Sequence, residues 1–127
     1  MRDEGPGGLK KVHPHAWLWE PLEADATFVL GAMFGTKVAY IAGKLVLCFS
    51  AKAEPWRGVL VCTDRMEHAS LMAQFPALVP HPILGKWLYL PESADEFERV
   101  AEHLVVLAKR RDPRIGVIPQ AKRRKRA

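Results

Sequence analysis

The sequence predicts an α+β fold: an antiparallel sheet of four to five strands in a meander, with two helices packed on one face. Three observations carry this expectation. Short runs rich in Val, Ile, Leu, Phe and Tyr recur from Thr27 to Leu90, separated by glycine- or proline-containing breaks. The links between the first four runs are too short for parallel crossovers, so neighbouring runs must pair antiparallel. Two later segments carry apolar residues at three- and four-residue steps.

The elements follow in order. Residues 1–15 contain Gly5-Pro6-Gly7-Gly8 and Pro14 and have little apolar surface, which predicts a flexible leader. Residues 16–118 form one domain, opening on Ala16-Trp17-Leu18-Trp19 as an irregular arm, with room for a helical turn between Leu22 and Ala26. Strands are expected at Thr27–Phe34, Lys37–Ala42, Lys44–Ser50, Gly58–Thr63 and Trp87–Leu90, with Gly43 supplying a left-handed position between the second and third. Asp64 and Glu67 make a capping box for a helix whose buried face is His68, Leu71, Met72 and Phe75. Pro76, Pro80 and Pro82 then predict an extended connector. Ser93 and Glu96 repeat the box ahead of a helix with Phe97, Val100, Ala101, Leu104, Leu107 and Ala108 on one stripe, ended by Pro113. Residues 119–127 read as a basic, disordered tail.

Charge is divided along the chain. The net charge is +5, yet residues 109–127 hold nine basic side chains against Asp112 alone, or +8. Residues 1–108 carry ten basic and thirteen acidic side chains, or −3, so the folded body is not a basic domain. No apolar run reaches the roughly 18–20 residues of a membrane span, and the N-terminus has no apolar core of a secretion signal. A cytoplasmic protein without membrane contact is expected. Cys48 and Cys62 sit inside apolar runs and read as small buried hydrophobes.

The runs Leu45–Phe49 and Val59–Cys62 do not alternate apolar with polar, although an antiparallel sheet with one wet face does. Two helices cover one face only. The second face therefore needs either the Trp17/Trp19 arm or another molecule, including a second copy.

Met33-Phe34-Gly35, Tyr40, Gly43-Lys44, Leu60-Val61-Cys62, Pro76 and Lys86-Trp87-Leu88 occur in the order strand, hairpin, strand, helix, proline-rich connector, strand, helix. This arrangement, over about residues 27–110, resembles the N-terminal domain of TfoX/Sxy-type competence regulators and the related YjbR-type small α+β proteins. The resemblance implies the fold first and a regulatory role second, and it implies no catalytic residues. The chain departs from the pattern at its start, where Pro14 and Pro21 leave no room for a long helix before the Met-Phe-Gly strand.

Few side chains offer chemistry. His13-Pro14-His15 has no third metal ligand nearby and reads as a disordered histidine pair. His81, between two prolines and near Trp87, is either a pocket proton carrier or a loop histidine stacked on a tryptophan. There is no G-x-S-x-G, no phosphate loop and no Ser/His/Asp set, so no enzyme, cofactor or metal is expected. Trp56-Arg57 is either an exposed pair that anchors a protein partner or a tryptophan folded over the sheet edge. Lys122, Arg123, Arg124, Lys125 and Arg126 would bind phosphate without reading sequence, or serve only solubility. The leading expectation is a non-catalytic module acting through protein contacts or self-association. The alternative is an accessory nucleic-acid binder working through the tail.

Overall fold

The computed structural model describes residues 13–33 and 35–119. It is α+β, with six strands in one antiparallel sheet: β1 (Val29–Met33), β2 (Thr36–Ile41), β3 (Lys44–Ser50), β4 (Gly58–Val61), β5 (Val79–Pro80) and β6 (Leu88–Pro91), in the order β1-β2-β3-β4-β6-β5. β1 to β4 form the expected meander. The sixth strand comes from the proline-rich connector, where Val79-Pro80 pairs with Leu88 and Tyr89 at the sheet edge. Pro80 has no N–H to give the ladder, which suits an edge and nothing further in. Three helices, α1 (Ala16–Trp19), α2 (His68–Gln74) and α3 (Phe97–Lys109), join the sheet.

Register places two sets of side chains on opposite faces. Ala39, Leu47, Val61 and Leu88 lie in one row across β2, β3, β4 and β6, and Val38, Cys48, Leu60 and Tyr89 lie in another. The first row belongs to the main core with Leu18, Trp19, Leu22, Leu71, Phe75, Leu104 and Ile115; the second belongs to a separate buried cluster. A bulge at the Ala39/Tyr40 step lets Val46 and Leu47 both join the main core, while Leu45 joins the second cluster. That bulge, with burial on both faces, is why the Leu45–Phe49 run does not alternate.

The N-terminal arm sits with the helices. Trp19 packs on Phe49 with ring centroids 5.3 Å apart, and Leu18 and Leu22 are buried in the main core. The arm therefore does not cover the second face, because its path from α1 through the turn Glu20–Ala24 runs beside α3. The packed body also begins before Ala16: His15 is 3% exposed, its ring 5.4 Å from that of Phe97, so His13-Pro14-His15 is not a disordered pair. The rest of the expected leader, residues 1–12, lies outside the described residues, as do Phe34 and Gln120–Ala127.

Neither capping box closes through its side chains. Asp64 is extended and precedes a 3-10 turn, Arg65–Glu67, in which the Glu67 amide donates to the Asp64 carbonyl. Ser93 donates to Glu54 instead, and Glu96 stands at the start of α3, bonded to Arg99. Past the end of α3, Arg111 takes the left-handed region (φ 58°), ahead of Pro113. The Arg111 amide donates to Ala108 and the Asp112 amide to Leu107, the paired bonds that satisfy the last carbonyls of a helix.

Two glycine-related positions are checkable. Gly58 has φ 135°, and a Cβ there would lie 2.2 Å from the Leu90 carbonyl oxygen of the adjacent strand. Gly58→Ala is expected to cost about 3 kcal/mol or more in chemical denaturation, enough to unfold a marginal domain. The β2–β3 turn puts both Ala42 (φ 53°) and Gly43 (φ 80°) in the left-handed region. Ala42 is exposed and tolerates that conformation poorly, so Ala42→Asn is expected to raise stability by about 0.5–1 kcal/mol in the same assay.

Candidate interaction surface on the second face of the sheet

The second face is covered by the chain's own loops. Pro80 and Pro82 stiffen the backbone on both sides of His81, and the imidazole closes the turn: its Nδ1 accepts the amides of Ile83 (3.1 Å) and Leu84 (2.9 Å). Nδ1 is then an acceptor, so the proton sits on Nε2, which donates to the Pro55 carbonyl at 2.8 Å. The ring lies 4.4 Å from that of Trp56 and 5.4 Å from that of Tyr89, and it is 1% exposed. Burial pulls its pKa below the ordinary 6.5, opposed by the bond to Pro55. A second proton would cost Nδ1 both of its amide donors. These bonds favour a structural joint between loops 51–57 and 81–87 over a proton carrier.

Trp87 does not stack on His81. It meets it through the backbone, where the His81 amide donates to the Trp87 carbonyl at 2.9 Å. Trp56 is the tryptophan against His81, its ring tilted by 46°, with the Lys52 ammonium 5.5 Å from its ring centroid. Trp56 therefore folds over the sheet and helps close the second cluster. Arg57 donates to the Ala51 carbonyl (2.6 Å), and its Nε lies 2.9 Å from Glu92. The Tyr89 hydroxyl donates to the Arg57 carbonyl at 2.7 Å, and burial, with Glu54 and Glu92 nearby, pushes that phenol up to about 12. Trp56 is thus half-buried on His81, while the Arg57 side chain, held by Ala51 and Glu92, stays 42% exposed.

Beyond this joint the second face opens into a concavity of about 680 Å³. Met33, Tyr40, Leu45, Trp87, Val117 and Ile118 form its apolar walls, with Lys44 and Lys86 among the residues lining it. The C-terminal segment is held there by backbone: the Leu45 and Val117 amides donate to each other's carbonyls (2.9 and 3.0 Å), and the Gly116 amide donates to Cys62 (2.7 Å). Arg114 fastens the same segment to α2 through Ser70 and Gln74, its charge stabilised by Asp112. From Trp87 alone the sequence points to this concavity. The contributions of Val117 and Ile118 were hidden because they form no strand of their own.

A second concavity of about 550 Å³ lies where the arm meets α3, among His15, Trp17, Glu92, Asp95, Glu96 and Arg99. His15 Nε2 is 3.4 Å from Glu92 Oε1 without a hydrogen bond. Its pKa is lowered by burial, then raised by Glu92 and lowered by Arg57. No group of three potential metal ligands occurs among the described residues. Cys48 and Cys62 are buried thiols with sulfurs 3.9 Å apart, and burial pushes the Cys62 thiol well up, away from the reactive thiolate. No helix among the described residues is long and apolar enough to cross a membrane. Lys122 to Arg126 lie outside the described residues. In comparisons with protein-family models, curated proteins and solved structures, none matches the chain.

His13, His15 and His81 all hold a proton less tightly in the folded protein than in the unfolded chain. The unfolded state therefore takes up protons first as the pH falls through 6.5, and stability is lost in that direction. The melting temperature is expected to fall between pH 7 and about pH 5, above the carboxylate range. His81→Gln should melt lower at pH 7 and show a shallower fall. A melting temperature that holds or rises on acidification would contradict the histidine environments described.

Proposed function

We propose that the protein is a non-catalytic interaction module of the TfoX N-terminal type, acting through protein contacts that include a second copy of itself. One observation carries the reading: an apolar band that starts at exposed Val29 on β1 and runs through half-buried Met33 and Tyr40 into the concavity on the second face. Val29 is 58% exposed, and Ile118 at the far rim is 67% exposed. A continuous apolar surface of this kind marks a contact site more often than a solvated face. The reading is supported further by the commitment of the buried histidines to packing and by the resemblance over residues 27–110. It places the protein in the cytoplasm as a regulatory component.

The contact is read by sedimentation equilibrium of the full chain, with Trp87→Ala and Tyr40→Ala as probes of the band. Mass is expected to rise with concentration, and each variant to weaken the association about tenfold, as interface aromatics commonly do. A chain that stays monomeric to millimolar concentration would remove self-association from the proposal.

A second reading is favoured by the division of charge. Arg111 is ion-paired with Asp25 and Arg114 with Asp112, and the consecutive run Lys122–Arg126 is the cluster proposed to meet polyanions. Fluorescence anisotropy on duplex DNA, with the full chain and one ending at Ile118, tests it. Binding through the tail predicts a log–log salt slope no steeper than about −5 and complete loss on truncation.

A further inference from the structure

We infer that the protein dimerises by antiparallel pairing of β1 with β1 of a second copy, about a two-fold axis at Gly31. The inference rests on the interaction-module reading and names its surface and its partner.

The two edges of the sheet are finished differently. β5 is two residues long and ends on Pro80, which blunts that edge. β1 is five residues, Val29-Leu30-Gly31-Ala32-Met33, with no charge and no proline, and none of its residues is buried. Natural sheets protect a free edge with lysine, proline, a bulge or a covering segment. Among the described residues β1 has none of these, since the bulge lies one strand further in.

Register makes this edge self-complementary. Met33 and Thr36 flank the two-residue turn between β1 and β2, so they form a hydrogen-bonded pair, and by alternation Gly31–Val38 and Val29–Tyr40 do too. The N–H and C=O groups of Leu30 and Ala32 then point away from β2. An axis at Gly31 sets Leu30 of one copy opposite Ala32 of the other, twice, so all four residues exchange ladder bonds. It also sets Val29 opposite Met33, apolar on apolar, with no like charges facing. Gly31 suits the axis: a Cβ there would lie 3.2 Å from Tyr40 Cε1, so the tyrosine ring already covers that spot on the second face.

Charge agrees with the same direction. The approach to β1 carries exposed Glu20 and Glu23, Asp25 beside them being paired with Arg111. The opposite end of the strand carries exposed Lys37, and the Lys52 side chain lies against Gly35. Antiparallel pairing brings the acidic end of each copy to the basic end of the other. Met33 and Tyr40 make the new contact continuous with the concavity of the second face.

Sedimentation equilibrium of full-length Leu30→Lys and Ala32→Glu tests the register. Both positions are exposed, so both variants should keep the native far-UV circular dichroism. Each alone is expected to weaken the dimer about tenfold, and an equimolar mixture of the two should recover it, because the introduced charges face each other across the axis. A dimer unaffected by either substitution, or a mixture no tighter than the single variants, overturns β1 pairing while leaving association at another surface standing. A monomer at every concentration overturns both β1 pairing and self-association.

Discussion

Strands β3 and β4 are apolar on both sides, and the architecture follows from having to keep both sides dry. Phe49, Leu47, Val59 and Val61 face the helices, while Cys48, Leu60 and Cys62 face away from them; all are 1% exposed or less. Leaving the second set in water would forfeit about 1.5–3 kcal/mol for each large aliphatic side chain, a large share of a small domain's stability. Helices α2 and α3 and the Trp19 arm take one face. The other is closed without a helix, by loop 51–57, loop 81–87 and the C-terminal segment. Loops can do this only if their polar backbone is satisfied, which is the work of the His81 imidazole and of the Leu45–Val117 and Gly116–Cys62 bonds.

The same economy decides where the surface stays open. Loop 51–57 is anchored by Trp56 on His81 and by Arg57 on Ala51 and Glu92, so both side chains take part in closure. Among the described residues no such cover reaches β1 or the concavity between Tyr40, Trp87 and Ile118. Both ring nitrogens of His81 are committed to backbone groups, and burial holds the Cys62 thiol away from the thiolate. An uncharged strand edge and the apolar hollow beside it offer a contact surface among the described residues, and contact is the function proposed.

Much of the fold was legible in the sequence, because strand periodicity and turn glycines act locally. The five long strands, the β2–β3 turn at Gly43 and the α3 stripe appear close to their expected bounds. The Leu45–Phe49 run correctly implied two covered faces. What covered the second one was not legible, since it depended on partners far along the chain: Trp56 reaches His81 across 25 positions, and Leu45 meets Val117 across 72. β5 was masked by its prolines, which are tolerated only because it is an edge. The capping boxes failed because Asp64 and Ser93 are followed by tighter turns before the helices begin. The site was less legible than the fold. Trp87 and Trp56 were singled out, but the pairing of His81 with Trp56 rather than Trp87 needed the register of β5 on β6.

Residue-resolved amide hydrogen exchange at two protein concentrations tests whether the chain's own loops close the second face over Cys48, Leu60 and Tyr89 and leave β1 as an open edge among the described residues. Cys48, Leu60 and Tyr89 amides are expected to be protected equally at both concentrations, while Leu30 and Ala32 exchange fast when dilute and slow when concentrated. Concentration-dependent protection at Leu60 and Tyr89, with Leu30 and Ala32 fast throughout, would contradict it: the second face would then be closed by another molecule and not by the chain's own loops.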